Sequence, residues 1–199
     1  MAVSMHDIHW TMQVSSAPAT EPITTAEAKK QSYIDTDDDD DFIDDNIQAA
    51  REYLQEQTNT SFITQTRVMR MDRFPDTIKI PFSPLISVTS ITYVDTNGDT
   101  QTLSSSLYDV DIYRKPARIN PAYGESWPST RLIDDAITLT YVAGYANAAA
   151  VPALIKKMML FMAAHYYENR EILITGTIVA KIPETVESLI AMNRINPEW

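Results

Sequence analysis

The spacing of apolar residues changes twice along the chain, and this change constrains the fold more than any other feature. From Phe42 to Leu54 apolar residues recur every three to five positions, as on the buried face of a helix. From Thr60 to Tyr145 short β-branched and aromatic runs alternate with Pro, Gly and Asn, which is typical of antiparallel strands. Beyond Pro152 the helical spacing returns. The sequence therefore predicts an α+β fold, a small bundle of about four helices with an antiparallel β unit inserted between helices 2 and 3.

The ends of the helices are marked by capping residues. Thr24 and Glu27 have the spacing of a capping box, which predicts a first helix that ends near Tyr33. The aspartates from Asp37 to Asp41 are expected to stabilise the positive end of a second helix and to cap its free amides, and that helix should end near Asn59. Two more helices are predicted, over 152–171 and from 183 onward, each beginning at a proline.

The β-rich stretch contains six candidate strands, at 62–71, 77–80, 88–94, 100–103, 108–113 and 136–142. The strongest hairpin motif is Asn97-Gly98, because both residues tolerate the positive φ of tight turns. Prolines 81, 84, 116, 121 and 128 are expected between strands, where they end the ladders. Tyr113, Tyr123 and Trp127 have the residue type that stacks on ligands, but packing within the sheet is the commoner use. The predicted organisation is an extended N-terminal arm at 1–22, a helical core at 23–59 and 147–195, a β-rich insertion at 60–146 and a C-terminal tail at 196–199.

The charge is strongly acidic and concentrated in one segment. Lys and Arg number 16 and Asp and Glu 27, a net charge of −11, and eight aspartates lie between residues 35 and 45. Bulk charge therefore opposes nonspecific binding to DNA or to an anionic membrane. The aspartates have the alternate spacing of an EF-hand, but Asp40 replaces the required Gly and Asn46 the bidentate Glu. A solvated helix start is favoured over an ion site, and no metal is expected.

Most catalytic and cofactor motifs are missing. The chain has no Cys and only four Gly, which excludes thiol chemistry, sulfur-ligated zinc, phosphate loops and dinucleotide fingerprints. His165 and Glu168 lie one turn apart, but such a lone pair is mostly structural. No Gly-x-Ser-x-Gly motif is present. The motifs indicate no catalytic residue and no cofactor, although catalysis by a pair of carboxylates remains an open alternative.

Eight short motifs occur in an order that resembles the head-tail connector proteins, or adaptors, of long-tailed phages and gene-transfer particles. They are EPITTAEAK at 21–29, YID at 33–35, ITQT at 63–66, VTSITYVD at 88–95, PAYGESWP at 121–128, TYVAGY at 140–145, VP at 151–152 and HYYENRE at 165–171. The resemblance implies a structural virion protein without enzyme activity or cofactor. About twelve copies are expected in a ring beneath the portal, where they extend the DNA channel and bind a neck stopper or a tail terminator.

The resemblance also sets expectations for location and partners. The protein should be made in the cytoplasm of a bacterial host and lie at the head-tail interface of the virion, with DNA passing through the ring without specific binding. No membrane partner is expected, because the longest apolar run, 158–164, is too short to span a bilayer. The alternatives are another neck ring protein, such as a stopper or tail terminator, and a carboxylate- or metal-dependent hydrolase.

Two surfaces are candidates for assembly. The C-terminal residues Arg194, Ile195, Pro197 and Trp199 are predicted to bind the portal, because a tail bounded by proline and ending in Trp suits a pocket. The alternative is a frayed terminus. Asp37, Asp38, Asp39, Asp40 and Asp41 are predicted to form an acidic face on the channel or between subunits. The alternative for these five is a solvated helix start.

Overall fold

The structure, a computed structural model, describes residues 8–169 and 182–195. The described residues form two compact units. The described part of the helical unit comprises 20–63, 145–169 and 182–194, and that of the β unit comprises mainly 8–19 and 64–144. The described part contains four helices, α1 (Thr25–Ser32), α2 (Asp40–Thr58), α3 (Ala153–Glu168) and α4 (Glu184–Asn193). The predicted α+β fold is confirmed, with the strands of the insertion lying in the chain between α2 and α3.

The predicted capping box at the start of α1 is present. The Thr24 hydroxyl accepts a hydrogen bond from the Glu27 amide, and the Glu27 carboxylate accepts one from the Thr24 amide at 2.7 Å. The helix ends at Tyr33, which has a φ of 55° and whose amide donates to the Lys29 carbonyl. These contacts satisfy amides and carbonyls that a helix end otherwise leaves without partners.

The long helix α2 supplies one wall of the helical core. Its residues Ile43, Ile47, Ala50 and Leu54 are almost fully buried, at the three-to-four spacing that the sequence predicts. The helix ends at the left-handed residue Asn59. From α3, the buried residues Ile155, Met158, Met159, Met162 and Ala163 complete the core with Ile23, Phe62 and Val186. Flexible methionines suit such a core because they fill irregular gaps between helices.

The described residues of the β unit form eight strands in two antiparallel sheets. They are β1 (Trp10–Ser16), β2 (Gln65–Met71), β3 (Ile78–Ile80), β4 (Leu85–Val94), β5 (Thr100–Thr102), β6 (Tyr108–Asp111), β7 (Ala117–Pro121) and β8 (Ile137–Ala143). The larger sheet has the order β1-β2-β8-β4-β5, and the smaller one has the order β3-β7-β6. In β8 the buried residues Ile137, Leu139, Tyr141 and Ala143 alternate with half-buried ones, so one face of the central strand belongs to the core.

Two strands differ from the sequence prediction. Residues 10–16, within the segment interpreted as an extended arm, are hydrogen-bonded to β2, from Trp10 opposite Met71 to Ser16 opposite Thr66. The second unpredicted strand is β7, and Pro121 is its last residue, paired with Tyr108, instead of lying between strands. A proline is tolerated there because it stands at the end of the ladder. The third helix also ends earlier than predicted, at Glu168.

Candidate functional site

The aspartate run is divided by the fold into two sets with helical spacing. Asp37, Asp40 and Asp44, here called the inward aspartates, contact α1. The Lys29 ammonium donates to Asp37 at 2.5 Å and to Asp40 at 2.7 Å, and the Thr25 hydroxyl donates to Asp44. The intervals of three and four residues place these carboxylates on one side of α2 and the turn before it. The inward aspartates therefore join α2 to α1.

Lys29 is the cation at the centre of this contact, and only 13% of its side chain is exposed. Its hydrogen bonds to Asp37 and Asp40 raise its pKa above the usual 10.5. The hydrogen bond from Lys29, with its positive charge, lowers the pKa of Asp37 below the usual 3.8. Both shifts favour the charged forms, so the pair remains ionised across the neutral range.

Asp39 contacts a different element. It is the residue before the first turn of α2, but its side chain makes no capping hydrogen bond to the helix. The carboxylate instead accepts a hydrogen bond from the Tyr167 hydroxyl of α3 at 2.7 Å. The expectation that this residue caps α2 through its side chain is therefore wrong. Its carboxylate has a tertiary partner that offers a short, well-placed donor.

Asp38, Asp41 and Asp45, here called the outward aspartates, are exposed, and their side chains make no hydrogen bond or ion pair with any described residue. They follow one another at intervals of three and four residues. Asp41 and Asp45 lie on the face of α2 opposite its buried residues, Ile43 and Ile47. Of the five aspartates predicted to form one acidic face, the structure leaves only Asp38 and Asp41 without a partner.

The second predicted surface, the C-terminal segment, is partly described. Arg194 is exposed and Ile195 is half-buried, and both directly follow α4. Pro197 and Trp199 lie outside the described residues. The assignment of this segment to portal binding stays a prediction.

The β unit presents a surface that the sequence analysis did not identify. The four residues 112–115 between β6 and β7, here called the hairpin tip, are all exposed. Their sequence is Ile-Tyr-Arg-Lys, and Tyr113 is 93% exposed. The prediction that the aromatics pack within the sheet holds for Trp127, which stacks on Phe74 with ring centroids 4.8 Å apart. It is wrong for Tyr113 and Tyr123, whose side chains project into solvent.

The described residues were also inspected for metal-binding and membrane-spanning features. No group of three or more His, Asp or Glu residues among them is arranged to hold a metal ion. Within the same residues, no helix has both the length and the apolar character needed to cross a bilayer. His165 has its Nδ1 atom 3.2 Å from the Asn169 side-chain amide, a local contact at the end of α3.

Comparison with known proteins gives one family and a consistent set of structures. Residues 22–114 match the family described as phage gp6-like head-tail connector proteins, which is a structural class and not an enzyme class. This range includes α1, α2 and strands β2 to β6. No curated protein is a significant match to the sequence.

The structural matches extend over nearly the whole chain. A chain from the virion of a native gene transfer agent particle matches with a TM-score of 0.76 and 20% identity, covering 95% of this chain and 97% of that one. A chain from the neck of an empty gene transfer agent particle, computed with C6 symmetry, matches with a TM-score of 0.74 and 19% identity over the same shares. A third, from the neck of a native particle with C12 symmetry, has a TM-score of 0.66 and 18% identity, covering 94% and 97%. These matches establish the fold, and the resemblance to head-tail connectors is confirmed.

Proposed function

Starting from the match to the head-tail connector family, we propose that this chain is a structural connector in the neck of a phage-like particle. About twelve copies form a ring beneath the portal, extend the DNA channel and bind the next neck protein, a stopper or a tail terminator. The protein has no enzymatic task in this proposal. It is made in the cytoplasm of the bacterial host and acts in the virion.

The main support for the proposal is that the family match and the structural matches point to the same kind of protein. The family match contains the first two helices and, within the insertion, strands β2 to β6. The structural matches account for 94–95% of the chain, so they extend far beyond the range of the family match. Two of the matched structures are particle necks computed with C6 and C12 symmetry, which supports a ring of about twelve.

A closed ring requires two different surfaces on each copy, because one face of a subunit meets another face of its neighbour. The helical unit and the β unit offer different chemistry. The outward aspartates are acidic and polar, whereas the hairpin tip is partly apolar and basic. A conduit for DNA also benefits from acidic walls, because a chain of net charge −11 repels phosphate and lets DNA slide.

For portal binding we propose the C-terminal residues Arg194, Ile195, Pro197 and Trp199. The segment directly follows α4, and Arg194 is exposed. Trp and Arg are the residue types that most often dominate binding energy at interfaces. Deletion of 195–199 is expected to abolish binding to the portal while the far-ultraviolet circular dichroism stays unchanged. Binding at wild-type affinity by the deletion variant contradicts this assignment.

For the aspartate run we propose a role on an inter-subunit or channel surface, carried by Asp38 and Asp41, whose side chains have no partner among the described residues. Replacing Asp38 and Asp41 by Asn is expected to impair ring closure or slow DNA passage. The matched control is replacement of Asp37 and Asp40 by Asn, which removes contacts to Lys29 and is expected to reduce the stability of the helical unit instead. Unchanged assembly and DNA passage in the Asp38/Asp41 variant indicate a solvated helix start.

The proposed function as a whole is tested with the portal ring of the same particle. The purified chain is mixed with that portal, and the product is followed by native mass spectrometry and negative-stain imaging. Addition of a second ring coaxial with the portal is the expected result, and its mass gives the copy number. If both proteins are folded and nothing binds at about micromolar concentration, a level at which specific interfaces form readily, the connector role is contradicted.

A further inference from the structure

We propose that the hairpin tip binds the outward aspartates of an adjacent copy of this chain. The tip is residues 112–115, and the aspartates are Asp38, Asp41 and Asp45. The inference rests on the proposed ring and names the pair of surfaces that closes it. Each copy carries one tip and one set of outward aspartates, so the same contact repeats around the ring, as a heterologous interface requires.

The tip is ordered by a carboxylate at its base. Asp111, the last residue of β6, accepts a hydrogen bond from the Tyr113 amide at 3.0 Å. Its second oxygen lies 3.1 Å from the Arg114 Nε atom. Pro116 and Ala117, which follow the tip, are buried. The tip is therefore held at both ends, so little conformational entropy is lost when it binds a partner.

The side chains of the tip have the chemistry of an interface centre. Tyr113 is 93% exposed and Ile112 is 47% exposed. The tip therefore exposes apolar surface whose burial in an interface is favourable. Tyr and Arg are enriched among the residues that dominate binding energy. Lys115 is exposed and has no hydrogen bond or ion pair with any other described residue. An unpaired cation beside exposed aromatic and aliphatic groups suits a partner that is acidic at its rim.

The outward aspartates supply that partner on the same polypeptide. Three exposed carboxylates without described partners lie within eight residues, on and directly before the solvent face of α2. Lys29 is already bound by the inward aspartates Asp37 and Asp40, so it is not available as a partner of the outward set. Opposite charges on two surfaces of one chain steer copies toward each other and suppress like-with-like contacts.

A charge exchange tests the pairing. Lys115→Glu and Asp41→Lys are each expected to weaken assembly of the ring on the portal about tenfold, because each places like charges in contact. The chain with both changes is expected to assemble within about threefold of wild type, since every interface again pairs opposite charges. Arg131→Glu is the matched control for charge, because Arg131 is an exposed cation of the same unit outside the tip. It is expected to leave assembly unchanged.

Cross-linking gives a second, independent readout, because the wild-type chain has no cysteine. A Lys115→Cys chain is mixed with an Asp41→Cys chain of different mass, and a short bis-maleimide is added in the presence of the portal. Mixed dimers are expected as the main product, and each variant alone should give few dimers. Both substitutions are at exposed positions, and thermal unfolding of each variant verifies that it is folded.

The outcomes separate this inference from the proposed function. If the wild-type chain adds a ring to the portal but the charge exchange fails to restore assembly and mixed dimers are absent, the pairing is wrong and the connector role stands. If Lys115→Glu leaves ring assembly intact but alters retention of DNA, the tip binds DNA and the inference is overturned. If the wild-type chain forms no ring on the portal, both proposals fall.

Discussion

The helical unit and the β unit use charge in opposite ways. Residues 20–63 and 145–194 carry 16 acidic and 8 basic residues, whereas 64–144 carry 9 and 8. In the helical unit a lysine fixes two of the excess carboxylates, and others are left on the solvent face of α2. In the β unit charge is nearly balanced, and the exposed hairpin tip includes apolar groups. The fold therefore uses some aspartates of the run, and the assembly proposed above uses others.

The units also differ in how they lower the pKa of a carboxylate. The pKa of Asp37 is lowered by a lysine, whereas the pKa of Asp95, in the turn after β4, is lowered by amide groups. One oxygen of Asp95 accepts from the amides of Asn97, Gly98 and Asp99, and the other accepts from the Gln101 side chain. The hydrogen bond from the Asp99 amide lowers the pKa of Asp95 most, and the hydrogen bond from the Gln101 side chain also lowers it. Amide dipoles belong to the backbone and keep their geometry when salt is added.

The largest expected effect comes from removing a buried side chain of the β unit. Leu139 in the central strand β8 is fully buried, and Leu139→Ala is expected to lower the free energy of unfolding by about 2–5 kcal/mol, because it loses apolar burial and leaves a cavity. Urea unfolding measures the loss. Hydrogen exchange is expected to show faster exchange in the β unit. A loss below about 1 kcal/mol indicates that the core of this unit is not packed as described.

A smaller effect is expected at the start of α1 in the helical unit. Thr24→Ala removes the hydroxyl that accepts from the Glu27 amide, and the expected cost is about 1 kcal/mol. Thr24→Ser is the control, because serine keeps the acceptor and should stay close to wild type. Equal losses in both variants mean that the hydroxyl is not the stabilising group. Chemical denaturation followed by circular dichroism measures both.

Salt should separate the two carboxylates whose pKa values are lowered. Raising NaCl to about 1 M is expected to move the pKa of Asp37 toward 3.8, because ions screen Lys29, and to leave the pKa of Asp95 nearly unchanged. Carboxyl-carbon NMR titration measures both in one sample. Equal shifts at the two sites mean that the contrast between lysine and amide partners is wrong.

The same pKa shifts define the pH range of the stabilisation. Asp37 contributes stability above its ordinary pKa of 3.8, and the contribution is lost as the pH falls through its lower folded-state value. Lys29 contributes below its ordinary pKa of 10.5, and this part is lost as the pH rises through its higher folded-state value. A Lys29→Gln variant is therefore expected to show a shallower loss of stability in acid.

The smallest expected effect on stability is at the hairpin tip. Tyr113→Ala is expected to change the free energy of unfolding by less than about 0.5 kcal/mol, because the side chain is exposed. Assembly on the portal should nevertheless weaken. Tyr123→Ala is the matched control, since Tyr123 is an equally exposed tyrosine of the β unit outside the tip. Equal loss of assembly in both variants argues against a specific role of the tip.

Helices were predicted more closely than strands, because caps mark their ends in local sequence. Thr24 with Glu27 and the proline at 183 placed the starts of α1 and α4 within one residue. The strand β1 was not predicted, because its pairing with β2 joins residues 50 or more positions apart. The strand β7 was not predicted, because Pro116 precedes it and Pro121 is its last residue, and such prolines suggest a loop. The local sequence pattern does not show which distant strand will form hydrogen bonds with the backbone of a given segment.

The candidate surfaces were predictable only in part. The sequence located the aspartate run, but the division into inward and outward sets depends on Thr25 and Lys29, which lie on another helix. The hairpin tip was not identified, because Ile112 and Tyr113 continue the apolar pattern of β6 and were assigned to the strand. The structure ends that strand at Asp111, whose side chain turns to hold the tip.

The most direct test of the connector role is a cryo-electron microscopy reconstruction of the neck of the particle that contains this chain. The account predicts a ring of about twelve copies directly beneath the portal and coaxial with it, with α1 to α4 and both sheets recognisable in each copy. It also predicts that the hairpin tip of each copy contacts α2 of its neighbour. Absence of the chain from the particle, or its location away from the portal, contradicts the account.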